Sequence, residues 1–297
     1  MSLRPEIRLL EGTRCEVGEG ILWCPRRNVL FWVDIKGRAL LRLDPEAEAL
    51  TRWPLPDQPG CIALTATDTL VVAMPDGLHL FDPATGTLAP HALLPPEAAA
   101  SHRANDGATS RGGRFHFGTM TLSDRSVASG ALYHWSGEAG AGQLARHFGG
   151  LHIVNGLAFS PDDRTAYVAD SYESLRRIWR FDYEPETGAF TNRSLFYDTA
   201  GRAGRPDGAC VDVDGCYWMA GVGGGELLRI TPAGRVDLCI DLPVTWPTKP
   251  CFGGPDLRTL YLTSLDPSSS GGGPDGAVLA IETGHQGLPE PVCLLHG

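Results

Sequence analysis

The 297-residue sequence predicts an all-β fold, a six-bladed β-propeller with four-stranded blades around a central channel, on three observations. Its 37 glycines and 23 prolines are spread along the whole chain rather than gathered into one linker. Between them lie short runs rich in Val, Leu, Phe, Tyr and Trp, such as "VLFWVDI", "TLVVAM", "IWRFDY" and "LYLTSL". Strands this short, punctuated this densely, belong to an all-β protein. The third observation is order: one strand–turn–strand unit recurs six times with a mean period of about 46 residues, the length of a four-stranded propeller blade.

Taken along the chain, "EIRLL" (6–10) is expected to pair with the last repeat and close the ring, which leaves no long exposed edge. "EGILWCPRRNVLFWVDI" (19–35) is the first unit, two apolar strands around the turn "CPRRN". "GCIALTATDTLVVAM" (60–74) is a degenerate copy that turns on "ATD". "NDGATSRGGRFHFGTM" (105–120) turns on "SRGG", and "NGLAFSPDDRTAYVADS" (155–171) on "SPDD". "DGACVDVDGCYWMAG" (207–221) and "TKPCFGGPDLRTLYLTS" (248–264) complete the set with "DVDG" and "GGPDL". Each unit is followed by a second strand pair, for example "GLHLFDPATGTL" or "RIWRFDYEPETGAF". No convincing amphipathic helix is expected; "PPEAAASHR" is the nearest approach and is short. Two β-sandwiches would share this composition but would not need six evenly spaced copies of one unit. Residues 1–297 are therefore expected to form a single domain.

Composition narrows the partners. The chain is 42% hydrophobic, ordinary for a soluble protein, and no apolar run approaches the ~20 residues that span a bilayer. The N-terminus has no apolar stretch of signal-peptide length, so a cytoplasmic location is expected. A formal charge of −10 disfavours nucleic acid and anionic membrane as partners. The eight cysteines form no CxxC pair and no zinc-finger spacing, and read as buried, reduced side chains. A monomer is expected, because a closed ring needs no partner to fold.

In a propeller the innermost strands line the channel, so the residue that opens each repeat joins a ring at one end. Those residues are Glu19, Gly60, Asn105, Asn155, Asp207 and Thr248. Asn and Asp before Gly are good turn formers, and each alone is ordinary punctuation. Four side-chain oxygens converging on one axis are different, since carboxylates that close repel unless a positive charge lies between them. A divalent cation is the natural occupant: Ca2+, Mg2+ or Mn2+, or Zn2+ or Fe2+ with water completing the shell. So few protein donors leave a coordination position open, the condition for metal-assisted catalysis. No GxSxG, HExxH or phosphate-loop motif competes with this reading. His102, His116, His134, His147 and His152 look scattered, without a ligand spacing, and read as surface or packing residues.

The stretches "GEGILW" (18–23), "FWVDI" (31–35), "RANDG" (103–107), "FGTM" (117–120), "NGLAFSPD" (155–162), "RPDG" (205–208) and "CFGGPDLRTLYLTS" (251–264) resemble the regucalcin/gluconolactonase family of sugar lactone lactonases. The resemblance runs over nearly the whole chain in order. It implies a six-bladed propeller with one divalent metal in the channel and hydrolysis of aldonolactones, a small-molecule sugar lactone being the partner. "TKPCFGGPDL" looks most like bacterial pentonolactonases. Carried over, the resemblance makes Glu19, Asn155 and Asp207 the metal ligands, and Arg103 and Asn105 the sugar contacts. Asp207 is the expected general base, taking the proton of the attacking water while the metal polarises the lactone carbonyl. One departure stands out: some members place a substrate-binding glutamate after "GTM", where this chain reads "GTMTLSDRS", with Ser123 aligned and Asp124 beside it. The rival readings are a calcium-binding regulatory propeller without turnover and another propeller esterase.

Overall fold

Each strand–turn–strand unit of the sequence is the inner half of an antiparallel sheet in the computed structural model, which describes residues 5–135, 144–268 and 273–294. After β1 (Glu6–Leu10), the first blade is β2 (Gly18–Cys24), β3 (Val29–Asp34), β4 (Ala39–Asp44) and β5 (Ala49–Pro54). The second is β6 (Cys61–Thr65), β7 (Leu70–Met74), β8 (Gly77–Asp82) and β9 (Thr87–Leu93). A short helix α1 (Pro96–Ser101) then leads to β10 (His102–Thr109), β11 (Phe115–Thr121), β12 (Gly130–Trp135) and β13 (Leu144–Leu151). The fourth blade is β14 (Val154–Phe159), β15 (Thr165–Asp170), β16 (Arg177–Glu184) and β17 (Ala189–Asp198). The fifth is β18 (Arg205–Val211), β19 (Tyr217–Val222), β20 (Glu226–Ile230) and β21 (Val236–Asp241). The sixth takes β22 (Pro247–Gly253), β23 (Thr259–Ser264) and β24 (Val278–Glu282) from one end of the chain and β1 from the other.

The fold is thus the expected six-bladed β-propeller, and "EIRLL" closes it as expected: Glu6 to Leu10 lie opposite Glu282 to Val278. Two details were not foreseen. "PPEAAASHR" does hold a helix, of six residues, started by Pro96 at its first turn. A last strand, β25 (Val292–Cys293), adds in parallel to the inner strand of the second blade, Val292 opposite Leu64 and Cys293 opposite Thr65. On its way there the terminal segment bonds to three further blades, the fifth, sixth and third: Val213 N donates to Gln286 O, Gly287 N to Leu257 O, Leu294 N to Gly113 O, and Arg111 Nη1 to Pro289 O. It crosses the far end of the channel.

The core follows from strand alternation. Successive side chains of a strand point to opposite faces, and each face of a blade meets a different neighbour. Along β3, Val29, Phe31 and Val33 pack toward the second blade with Ile62, Leu64 and Val72. Leu30 and Trp32 pack toward the sixth with Cys251, Tyr261 and Val278. Six such apolar clusters fill the spaces between adjacent blades, which is why the inner strands read as nearly continuous hydrophobic runs. The turns are polar where the sequence is polar. Asp212 of "DVDG" accepts hydrogen bonds from Asp214 N and Cys216 N and, on its other oxygen, from Trp218 Nε1 and Arg229 Nε at 2.7–3.0 Å. "SRGG", which lacks that aspartate, borrows one: Asp163 of the next blade accepts from Arg111 N and Gly112 N at 2.9 and 2.8 Å. All eight cysteines are free, and no helix among the described residues is long and apolar enough to cross a membrane.

Candidate active site

Five of the six inner strands carry a β-bulge at the channel mouth, and the bulges decide which side chains face the axis. In β18, Pro206 pairs with Gly221 and Ala209 with Met219, so Asp207 and Gly208 together oppose the single residue Ala220. The same irregularity puts Asn105 and Asp106 opposite Gly118 in β10, Gly156 and Leu157 opposite Val168 in β14, and Gly20 and Ile21 opposite Trp32 in β2. An extra residue bends the strand and re-aims its neighbours, a device found beside active sites. By register, Asn105 and Asp207 are the first unpaired residues of their bulges, whereas Glu19 and Asn155 are the last paired ones. The four are therefore not strictly equivalent, yet all reach one cleft. Gly20 and Gly156 open their bulges with φ of 61° and 59°, and a Cβ on Gly156 would lie 2.3 Å from the Tyr217 hydroxyl, so only glycine serves there.

The cleft, about 160 Å³, is lined by Glu19, Arg103, Asn105, Asn155 and Asp207, all five residues expected from the sequence, together with Met120, Arg125, Ser171, Arg205 and Trp246. The amides are fixed by one chain of hydrogen bonds. Asn105 Nδ2 donates to Val154 O and to Asn155 Oδ1 at 2.9 and 2.8 Å, and Asn155 Nδ2 donates to Ser171 Oγ at 2.8 Å. Ser171 Oγ in turn donates to Pro206 O, beside Asp207. With both donors of Asn105 committed, its Oδ1 is left as an acceptor for the cleft. The other two ring positions are structural. Thr248 Oγ1 donates to Gly18 O at 2.5 Å and latches the sixth blade to the first. A Cβ on Gly60 would meet the carbonyl carbon of Ala104 at 2.4 Å, so the degenerate second repeat is the place where two inner strands touch.

The electrostatics are those of a site short of positive charge at its centre. Burial, then the Asp207 and Asp106 carboxylates, push Glu19 well above the usual carboxylate range. Burial and Asp106 push Asp207 up to about 7. Directly below, Lys249 Nζ meets Asp106 Oδ1 at 2.6 Å and Gly107 O at 3.3 Å, while Asp106 Oδ2 accepts from Leu157 N at 2.9 Å. Burial pulls the Lys249 ammonium down, but Asp106 and its hydrogen bond outweigh it and the net shift is up. Two buried carboxylates above one already paired lysine, with amide oxygens beside them, suit a divalent cation with oxygen ligands; Glu19, Asn155 and Asp207 are the donors that would hold it.

Sequence reasoning missed Asp106 and Lys249, although both lie in quoted motifs, "RANDG" and "TKP", because their pairing across the channel has no local signature. It also missed what replaces the absent glutamate. Neither Ser123 nor Asp124 lines the cleft: Ser123 bonds Thr121 Oγ1, and Asp124 caps its own turn through Ser126 N and Oγ. The loop sends in Arg125 instead. Arg103, held by Nη1 to Ala104 O at 2.8 Å, is lowered to about 10 by burial and by the Arg125 guanidinium. Arg205 is the third cation, with Ser171 O at 3.4 Å and Glu173 at 3.8 Å. The histidines need a correction. His102 and His152 bond Ser129 and Asp170 away from the cleft, but His116, His134 and His147, expected to be scattered, come together in the third blade. Strands adjacent in a sheet join positions that sequence spacing keeps apart.

Comparison with known proteins agrees with the propeller fold. The model of the SMP-30/Gluconolactonase/LRE-like region matches residues 17–266. The chain is 39% identical over 248 residues to a 6-deoxy-6-sulfogluconolactonase of Pseudomonas putida, covering 84% of this chain and 83% of that one. It is 33% identical over 287 residues to an L-arabinolactonase of Azospirillum brasilense, covering 94% and 93%. The crystal structure of a calcium-binding protein, regucalcin, from Agrobacterium tumefaciens superposes with a TM-score of 0.90 at 29% identity, over 98% of each chain. A family match across most of the propeller, with relatives this similar over most of their length, makes the chain a member of the SMP-30/gluconolactonase/LRE-like family.

Proposed function

We propose that the chain is a sugar lactone lactonase that opens an aldonolactone in a metal-assisted reaction, with Asp207 as general base. The observation that carries this reading is the meeting of Glu19, Asn155, Asp207, Arg103 and Asn105 in one cleft. When bound, a divalent ion supplies Lewis acidity to the lactone carbonyl. Everything else is done by the chain. Asn105, through its uncommitted Oδ1, and Arg103 orient the sugar. Asp207 accepts a proton from water as the water oxygen bonds to the carbonyl carbon; the ring C–O bond then breaks and its oxygen leaves as a hydroxyl, taking that proton. The calcium-binding propeller without turnover, the activity named for the Agrobacterium relative being binding, has no use for Arg103 and Asn105 beside the donors.

The substrate class follows from the loop that departs from the family. Where a glutamate would contact sugar hydroxyls, Arg125 joins Arg103 and Arg205; Arg205 pairs with Glu173, and Arg103 feels the Glu19 and Asp207 carboxylates that would hold the ion. Three guanidiniums around a small cleft favour a lactone that carries an anionic group, a sulfonate, phosphate or carboxylate, away from the ester. The name of the Pseudomonas relative, a sulfogluconolactonase, points the same way. The test is hydrolysis of neutral, 6-sulfo, 6-phospho and uronic lactones by metal-stripped protein before and after each divalent ion. One ion restores activity, and an anionic lactone has the highest kcat/KM. Arg125→Ala lowers that value by about tenfold to a hundredfold and leaves neutral lactones unchanged. Turnover of no lactone with any ion overturns the activity; equal turnover of neutral and anionic lactones overturns the substrate class alone.

The raised carboxylates give metal binding a pH dependence. Asp207, up near 7, carries a proton below that pH in the ion-free protein, and the ion must displace it. Affinity therefore weakens as pH falls below about 7, and proton release on binding shrinks above it. Calorimetry in two buffers of different ionisation heat measures both.

A further inference from the structure

The third blade brings three imidazoles to one face of one sheet. His116 of β11 lies directly opposite His134 of β12. Leu132 pairs with Phe148 and Tyr133 with Arg146, so His147 is the residue left over at a bulge in β13. The bulge turns His147 onto its neighbours: its ring stacks on His134 with centroids 4.1 Å apart and lies 5.2 Å from His116. One nitrogen of each ring lies within 4.8 Å of the others. Phe159, Tyr183 and Phe190 of the fourth blade wall the cluster, their centroids 5.2–5.5 Å from His116.

The nitrogens are what need explaining. His116 Nε2 bonds the Tyr183 hydroxyl at 2.9 Å, while His116 Nδ1, His134 Nδ1 and His147 Nε2 are buried with no hydrogen-bond partner. Three unpaired ring nitrogens in one apolar pocket are costly unless something binds them. Packing alone does not call for imidazole here, since phenylalanine would fill the same stack. We propose that His116, His134 and His147 form a site for a late first-row divalent cation such as Zn2+, separate from the oxygen-lined channel. Imidazole nitrogens suit such ions and not Ca2+ or Mg2+. The Tyr183 bond to the far nitrogen of His116 is the outer contact that fixes the tautomer of a metal-binding histidine. Burial keeps the rings neutral and so able to ligate, with His134 down to about 4 and His147 to about 3. The nearest cation, Arg114, turns its Nη2 to Glu186 O at 2.9 Å. Zinc ligands sit about 3.3 Å apart around a tetrahedral ion. Half-buried His147, at the outer strand, is the ring placed to close that distance.

The probe is Zn2+ added to metal-stripped protein in excess Ca2+, followed by gel filtration and metal analysis. Wild-type protein retains one zinc per chain, and zinc raises its melting temperature by several degrees. His147→Phe, which keeps the stack and removes the nitrogen, retains none and loses the zinc-dependent shift, with lactone turnover unchanged. Co2+ in place of zinc gives the intense visible bands of a low-coordinate nitrogen site in the wild type. No retained zinc, equal retention by His147→Phe, or only the weak spectrum of six-coordinate Co2+ overturns the assignment. None of these outcomes depends on whether the channel hydrolyses a lactone.

Discussion

Asp207→Asn is expected to lower kcat/KM by about 10²–10⁴-fold, the range for loss of a positioned general base. The change keeps the volume of a buried side chain and keeps an oxygen for the ion, so binding and fold should persist. It also removes a negative charge that Glu19 and Asp106 both oppose. The ion-free variant should therefore melt no lower than the parent, which separates lost turnover from lost folding. Steady-state kinetics, ion titration and a melting curve on the same preparation check all three. Wild-type turnover by Asp207→Asn would retire Asp207 as the base and leave it as a ligand.

The second large effect is structural. Lys249→Met is expected to cost about 3–5 kcal/mol of stability, because it strands the Asp106 carboxylate in the channel. Both side chains are nearly inaccessible, at 8% and 1% exposure, so water does not replace the lost partner. Asp106→Asn combined with Lys249→Met replaces the pair rather than breaking it and should recover most of the loss. Denaturant unfolding of the two single variants and the double variant gives the coupling directly. A single variant as stable as the parent would mean that the pair is held by the rest of the channel and contributes nothing of its own.

Much of this was legible in the sequence because the propeller repeats itself. Turn residues, strand alternation and the repeat spacing point to six blades, and the closing role of "EIRLL" follows from a ring that must have no edge. The mouth residues were readable for the same reason: a residue at one place in a repeat has counterparts in the others. What the repeat could not give is anything created between blades or by bulges. The one-residue offset of Glu19 and Asn155 against Asn105 and Asp207 is invisible without the ladder. Arg125 enters from the connection between β11 and β12, a place where the blades differ in length and sequence. His116, His134 and His147 are neighbours only because three strands of one blade lie side by side.

The terminal segment that crosses the far end has a kinetic meaning. Leu288 and Glu290 stand over a remnant cavity of about 60 Å³ there, too small for a sugar, and the bonds to four blades, the second through β25, hold them in place. Among the described residues, this cavity shares no lining residue with the cleft at the mouth. On the proposed reaction, reactant and product would share the mouth of the cleft, and opening the ring would add a carboxylate that leaves past Arg103, Arg125 and Arg205. Guanidiniums that speed the arrival of an anionic lactone would also slow the departure of a product carrying an extra charge. On that reading, turnover would be governed by how tightly the mouth grips the acid, and tuning its charge would trade capture against release.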